Sequence, residues 1–237
     1  MAITLFSSLT NKDKVEAVNR LISGSTPNQD FFLMTILSIL TATFGLLLNN
    51  SAIIIGSMLI APILNPVLSL SLGLIMSDIK LISRSFWTIA KSIAFSVTSS
   101  SLTLMLFSSQ FPNLTEEILS RAHPSLAYLM VALIAGFAAS FALVKPHLSE
   151  TLPGIAISVA IIPPLAVTGI GVAKFNWHLI SGSFLLFLVN TMGIIFASMI
   201  TFSLMNFYAQ RREADITIKK EDIKTQREIN KAKKATI

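Results

Sequence analysis

Apolar residues fall into six long blocks separated by short polar stretches: Phe31–Leu48, Ser51–Met76, Trp87–Phe107, Ser125–Val144, Leu152–Ala173 and Leu179–Met205. None of the six contains Asp or Glu. A helix needs about 20 apolar residues to cross the hydrocarbon core of a bilayer, and each block is near or above that length. The pattern predicts six membrane-spanning helices, with the second and fifth interrupted in mid-course by proline. Ahead of the first block, Val15, Val18, Leu21 and Ile22 recur at helical spacing among charged residues. That predicts a short amphipathic helix, either lying on the membrane surface or solvated. The chain thus divides into an N-terminal amphipathic cytoplasmic segment (1–30), a six-helix membrane domain (31–205, with halves 31–107 and 125–205) and a basic tail (206–237).

Composition sharpens this picture. Of 237 residues, 53% are apolar and 13% charged, and mean hydropathy is +0.72. A soluble domain carries about 25% charged residues, so a cytosolic enzyme, a nucleic-acid-binding domain and a disordered chain are all excluded. The first 30 residues lack the layout of a cleavable signal. The absence of cysteine removes disulfides, thiolate metal sites and thiol chemistry.

Charge gives the orientation. Six crossings with both termini cytoplasmic place 16 of the 18 Lys and Arg residues inside, leaving only Arg121 and Lys174 outside, as the positive-inside rule requires. The expected location is therefore the cell (inner) membrane, as a multi-pass protein. The tail after Tyr208 holds nine basic residues, and anionic lipid head groups are its nearest partner, in preference to nucleic acid.

The two interrupted blocks resemble each other. SAIIIGSMLIAPILNPVLSLSLGLIMSD carries Gly56, Pro62, Asn65 and Pro66; LPGIAISVAIIPPLAVTGIGVA carries Gly154, Pro163 and Pro164. They lie about 100 positions apart, each the middle member of three spans. Proline removes a helix donor and crowds the preceding turn, and in lipid the freed groups are tolerated only within protein or beside water. Matching breaks in two halves point to a transporter site. Three spans is an odd number, so the halves run in opposite directions, as a 3+3 inverted repeat. Plain proline kinks in packed helices are the competing account.

The run GLLLNNSAIIIGSMLIAPILNPVLSLSLG (Gly45–Gly73) resembles the hallmark of the prokaryotic "uncharacterized hydrophobic domain" family, DUF389. LPGIAISVAIIPPLAVTGIG (Leu152–Gly171) is similar to its second hallmark, and FLVNTMGII (Phe187–Ile195) to its final span, with Asn190 at the family's Asn. The resemblance covers about Phe31 to Met205 and implies a multi-spanning membrane protein. It implies no substrate, cofactor or catalytic residue.

Intramembrane polar residues complete the candidate list. Lys91 is the only charged residue well within a block; it either snorkels to the interface or faces inward to attract an anion. Asn65 either caps the break or faces a substrate, and Asn190 either bonds between helices or lines the path. Gly169 and Gly171 are either part of the path or close-packing positions. His147 is a candidate pH-sensitive gate. Glu150 favours a helix macrodipole. Asp78 caps a helix or pairs with Lys80 or Arg84. Ala132, Gly136 and Ser140 form a small-residue face, suited to contact within the bundle or in a homo-oligomer. No zinc-protease, nucleophile-elbow or nucleotide motif is present, so neither an enzyme nor a cofactor is expected.

The sequence therefore predicts an all-α integral membrane protein that moves a small solute or ion. Its pathway residues would be Gly56, Pro62, Asn65, Pro66, Lys91, Gly154, Pro163, Pro164 and Asn190, and no metal site is expected. The alternative is a non-transporting scaffold or sensor whose basic tail binds lipid or a partner.

Overall fold

The structure is a computed structural model and describes residues 10–145, 148 and 161–235. The described elements are helices: α1 (Asn11–Gly24), α2 (Gln29–Leu47), α3 (Ser51–Ile60), α4 (Leu64–Met76), α5 (Ile79–Phe107), the single turn α6 (Glu116–Leu119), α7 (Leu126–Val144), α8 (Ile162–Ala173), α9 (Trp177–Leu204) and α10 (Arg211–Ala235). Four of them (α2, α5, α7 and α9) are long and apolar enough to cross a membrane, and there are five such spans if the bent pair α3–α4 counts as one. The pair bends by 52° at a break that contains Pro62. In the fifth block only α8 is described. It begins with Pro163 and Pro164 in its first turn, where a missing amide costs least. Gly154, His147 and Glu150 lie outside the described residues.

Polar residues between the apolar blocks fix where helices start. Asn28, Asn50, Asp78 and Asn176 each accept a hydrogen bond from amides two or three residues on, at 2.8–3.2 Å. This satisfies donors that a helix start leaves open. The Asp78 cap starts α5 well before the apolar block at Trp87, so Lys80 and Arg84 ride on a helix rather than in a loop.

The helices recur in length along the chain. Helices α2 and α7 both have 19 residues, α4 and α8 have 13 and 12, and α5 and α9 have 29 and 28. At a constant offset of about 98 positions the corners match as well. Asp78 N–H donates to the Gly73 carbonyl at 2.9 Å, and Asn176 N–H to the Gly171 carbonyl at 2.9 Å. Ser77 and Phe175, one before each cap, both have φ 51°. An added Cβ on Gly73 would lie 3.1 Å from Ile82 N, and one on Gly171 would lie 3.0 Å from Ile180 N. Both glycines are therefore close-packing positions. The buried polar residues Ser85, Ser92, Ser100 and Thr103 of α5 share this offset with Ser183, Asn190, Ser198 and Thr201 of α9, also buried.

Packing exchanges elements between the halves: α8 lies along α5, and α4 lies along α9. Ser100 Oγ donates to the Ala166 carbonyl at 2.7 Å and Ser101 Oγ to the Gly169 carbonyl at 2.8 Å. Gly169 has no room for a Cβ, which would sit 2.7 Å from the Val97 carbonyl. The small-residue face of α7 is used inside the chain. A Cβ on Gly136 would meet Ile194 Cα at 2.7 Å, and Ala132 and Ser140 are buried. That face is thus unavailable for contact between subunits.

Both expectations for the N-terminal helix give way here. Helix α1 neither floats in solvent nor lies on a membrane surface with its apolar stripe in lipid. Ala17, Val18, Leu21 and Ile22 are all 2% exposed or less, and α1 packs against α4, α7 and α10. Hydrophobic burial fixes it beneath the bundle, since a fully buried Leu or Ile contributes about 1.5–3 kcal/mol. The tail is likewise a docked helix. Thr217 Oγ1 donates to Asn19 Oδ1 at 2.5 Å and Ser23 Oγ to Glu221 Oε1 at 2.9 Å.

Candidate functional site

The α3–α4 corner meets the start of α8. Ala61, Ile63 and Leu64 at the α3–α4 corner share with Ile161, Ile162 and Met58 a cavity of about 10 Å³. That is about the least volume that holds one water molecule. All of its described lining side chains are apolar, and no charged group among the described residues lines it. Neither half-helix has a side-chain cap at its start. Pro66 lies in the first turn of α4, and Pro163 and Pro164 lie in that of α8; each lacks the N–H that would otherwise face the cavity end. Among the described residues, the meeting point therefore offers few donors to an anion and no carboxylate to a cation.

On the other side of the same corner lies a groove of about 310 Å³. Ile60, Pro62 and Asn65 form one wall, and Ser23, Gly24 and Thr26 at the end of α1 form another. Asn28 and Asp30, at the start of α2, line it too. Asn65 Nδ2 donates to the Gly24 carbonyl at 3.4 Å. A Cβ on Gly24 would lie 2.5 Å from Asn65 Nδ2, so a larger residue there would push the Asn65 amide out of this contact. One turn on, Ser69 Oγ is 3.1 Å from both the Leu21 carbonyl and Ser25 Oγ. Asn65 and Ser69 thus form a polar edge of α4 on which the end of α1 is seated. The Asn65 side chain bonds to α1, while its backbone N–H donates to the Pro62 carbonyl within the break at 3.2 Å.

The remaining candidates separate from this centre. Pro62 and Pro66 belong to it, half-buried and buried, and Pro163 and Pro164 are buried just behind Ile162. A Cβ on Gly56 would touch nothing within 4 Å, so close packing does not explain that glycine. Lys91 is exposed on the outer face of α5, while Ser92 and Ser96 beside it are buried. Lys91 is thus turned away from the bundle, and its ammonium is not brought to the break. Asn190 is 2% exposed in α9, the helix that packs along α4. Asp78 caps α5, whereas Lys80 pairs with Asp215 at 3.7 Å and Arg84 pairs with Asp222. His123 and His178 lie edge to face with centroids 5.7 Å apart.

At the far end of the bundle a polar pocket of about 410 Å³ is lined by Asn49, Ser51, Glu116, Glu117 and Ser120. The hydrogen bond from Ser51 holds the Glu117 carboxyl below the usual carboxylate range, with Arg121 adding to the effect. Sequence reasoning missed this pocket, because its residues come from two distant turns. It also missed the α1 seat, although the short-range signal of Val18, Leu21 and Ile22 was present. No group of three or more metal-binding side chains occurs among the described residues.

Comparison with known proteins gives a family and no activity. The family model described as "Domain of unknown function (DUF389)" matches residues 58–196. The chain is 31% identical over 176 residues to an uncharacterized protein of Methanocaldococcus jannaschii, covering 74% of this chain and 54% of the relative. The chain therefore spans about half the length of that relative. No solved structure matches.

Proposed function

Because the chain belongs to the DUF389 family, whose description names no activity, we propose from its own geometry that it is a membrane transporter or channel for a small solute. The observation that carries this reading is the meeting of the bent α3–α4 corner and the proline-bearing start of α8 at a shared cavity, with a polar groove leading to the same corner. Irregular backbone at membrane depth persists where protein or water covers it, and paired breaks in repeated halves are where transporters bind their cargo. The constant offset of helix lengths, corners and buried polar residues supports a 3+3 inverted repeat with six crossings. The basic end bearing Lys80, Arg84 and both terminal helices would then be cytoplasmic.

The chemistry at the meeting point favours an uncharged solute over an ion. Among the described residues no ionised side chain lines it, and prolines delete amides that would coordinate an anion. A cavity of about 10 Å³ holds no solute, so the structure corresponds to a closed state with α1 seated over the groove. A second reading, a non-transporting scaffold or sensor, draws on the docked helix α10.

Single cysteines separate the two. A cysteine-free chain allows Ala61→Cys, Ile63→Cys and Ala166→Cys to be placed one at a time and challenged with a small membrane-impermeant thiol reagent. Transport predicts reaction at the breaks and uptake of a small polyol by proteoliposomes in preference to chloride or sodium. Unreactive breaks together with vesicles no leakier than protein-free controls would leave the scaffold.

A further inference from the structure

Helix α10 segregates its charge by face. Ala214 and Ile218 are buried, and Glu221 and Thr225 continue that stripe toward α1. Three of its acids are engaged with the protein: Asp215 with Lys80 at 3.7 Å, Asp222 with Arg84, and Glu221 with Ser23 at 2.9 Å. The opposite face runs Arg212, Ile216, Lys219/Lys220, Ile223, Arg227 at three- and four-residue spacing. All six are exposed, and no acid falls on that arc. Ile216 is 40% and Ile223 54% exposed. Two isoleucines among four cations, with no acid between them, match the surface that anionic head groups select on an amphipathic helix.

The position of α10 supplies the second argument. Its partner Arg84 sits three residues before Trp87 and seven before Lys91 on α5, which is roughly 5 to 10 Å along the axis. Phe86 and Trp87 are more than half exposed, Lys91 points outward, and aromatic and snorkelling residues of this kind mark the head-group level. Helix α10 is thus pinned within about two helical turns of the lipid surface. Three of the acids that would repel that surface, Asp215, Glu221 and Asp222, are paired on the protein side of the helix.

We infer that the outward face of α10 is a docking surface for anionic lipid head groups, and that this contact holds α10 against α1 and so keeps α1 seated over the groove. Both faces of the helix are used at once, so anionic lipid strengthens the docked state rather than releasing it. The lipid-binding part stands without the transport reading; the consequence for the groove rests on it.

The test uses the full chain in lipid nanodiscs. A fluorophore on Ile223→Cys reports contact through quenching by spin-labelled phosphatidylglycerol. A cross-linkable pair, Asn19→Cys with Thr217→Cys, reports docking on α1. With 30% phosphatidylglycerol we expect quenching, which disappears in pure phosphatidylcholine, and cross-linking that is faster in the anionic disc. At about 1 kcal/mol per surface cation, each is worth roughly a fivefold change in affinity. Lys219→Gln/Lys220→Gln should therefore weaken quenching about 25-fold and leave cross-linking at its zwitterionic rate. Equal quenching in both discs overturns the proposal. So does shielding of the label by an added oligonucleotide but not by anionic lipid, which assigns the face to nucleic acid. Quenching with no change in cross-linking overturns the latch. Absence of polyol uptake, with quenching and cross-linking as expected, sinks the transport reading alone.

Discussion

If α1 is a seated plug and not an integral part of the bundle, its removal should expose the groove and leave the remaining helices folded. Leu21→Ala is the cleanest perturbation. Leu21 is 0% exposed, in a stripe with Val18 and Ile22, and its carbonyl receives the Ser69 hydroxyl, a contact the substitution leaves available. Truncation of a buried leucine to alanine costs about 2.7–5 kcal/mol, depending on how far the site relaxes. Because α1 contacts the bundle along one face, that loss falls first on the local equilibrium between seated and unseated α1. At 1.4 kcal/mol per decade, the unseated population rises about 100- to 4,000-fold. Ser69→Cys reads this directly, since Ser69 is 0% exposed beneath α1. The rate of modification from the side that bears α1 should rise by two orders of magnitude or more when Leu21→Ala is added. The hydrogen bonds lost with Ser69 are absent from both proteins and cancel. Ser100→Cys, buried between α5 and α8, is the control and should not respond. An unchanged Ser69→Cys rate would refute the plug. A parallel rise at Ser100→Cys would show that α1 is part of the global fold.

Four further outcomes follow from the structure. Gly182→Ala places a Cβ 1.9 Å from the Ala122 carbonyl, so backbone must move, and overpacking of this kind costs about 1–3 kcal/mol. A fall in thermal midpoint in detergent is expected, whereas Gly56→Ala, with open space around it, should be neutral or stabilising by up to about 1 kcal/mol. Asp78→Asn should keep the α5 cap, as Asn50 and Asn176 do at their corners, while Asp78→Ala should cost about 0.5–2 kcal/mol in a denaturation series. Arg84→Ala removes the bonds to Thr26 and Asp222 and should raise hydrogen exchange in α10 before any other helix. For Glu117 the folded pKa is depressed below 4.5 by Ser51 and Arg121. Its contribution to stability is thus present above about pH 4.5 and is lost as pH falls through the folded value. Glu117→Gln should remove that acid sensitivity, as read by thermal midpoints between pH 3 and pH 6.

The long helices were legible because the hydrophobic block is itself the structural unit in lipid. The ends of α2, α7 and α9 fall within about two residues of their blocks. Helix α5 departs from this. Its eight residues before Trp87 are helical because Asp78 caps them and because Asp215 and Asp222, far along the chain, neutralise Lys80 and Arg84. No local pattern contains that partnership. Prolines announced where the backbone must break, and Pro62 sits at the 52° bend, but they could not say what covers the break. That depends on Asn65 and Ser69 meeting the carbonyls of Gly24 and Leu21, contacts across more than 40 positions. Lys91 shows the converse limit. A buried-looking charge in a one-dimensional block is compatible with either face of a helix, and only the packing of Ser92, Ser96 and Ser100 against the bundle turns it outward.

The amphipathic stripe of α1 and the charged tail carry the same lesson one step further. Each reads alone as a surface element, since a lone helix with one apolar face belongs at a water–lipid boundary. Together they cover each other: Ala214 and Ile218 bury against the α1 layer, Asn19 accepts from Thr217, and Ser23 donates to Glu221. Among what remains exposed afterwards is an arc without acids, Arg212 to Arg227. If the groove beside Pro62 is the way in, the two terminal segments sit at its mouth, and charge on the tail becomes a property of the gate and not only of membrane topology. Neutralising Lys219 and Lys220 should then alter access to Ser69→Cys from a distance, although neither lysine lines the groove. A tail that merely set orientation would leave that access unchanged.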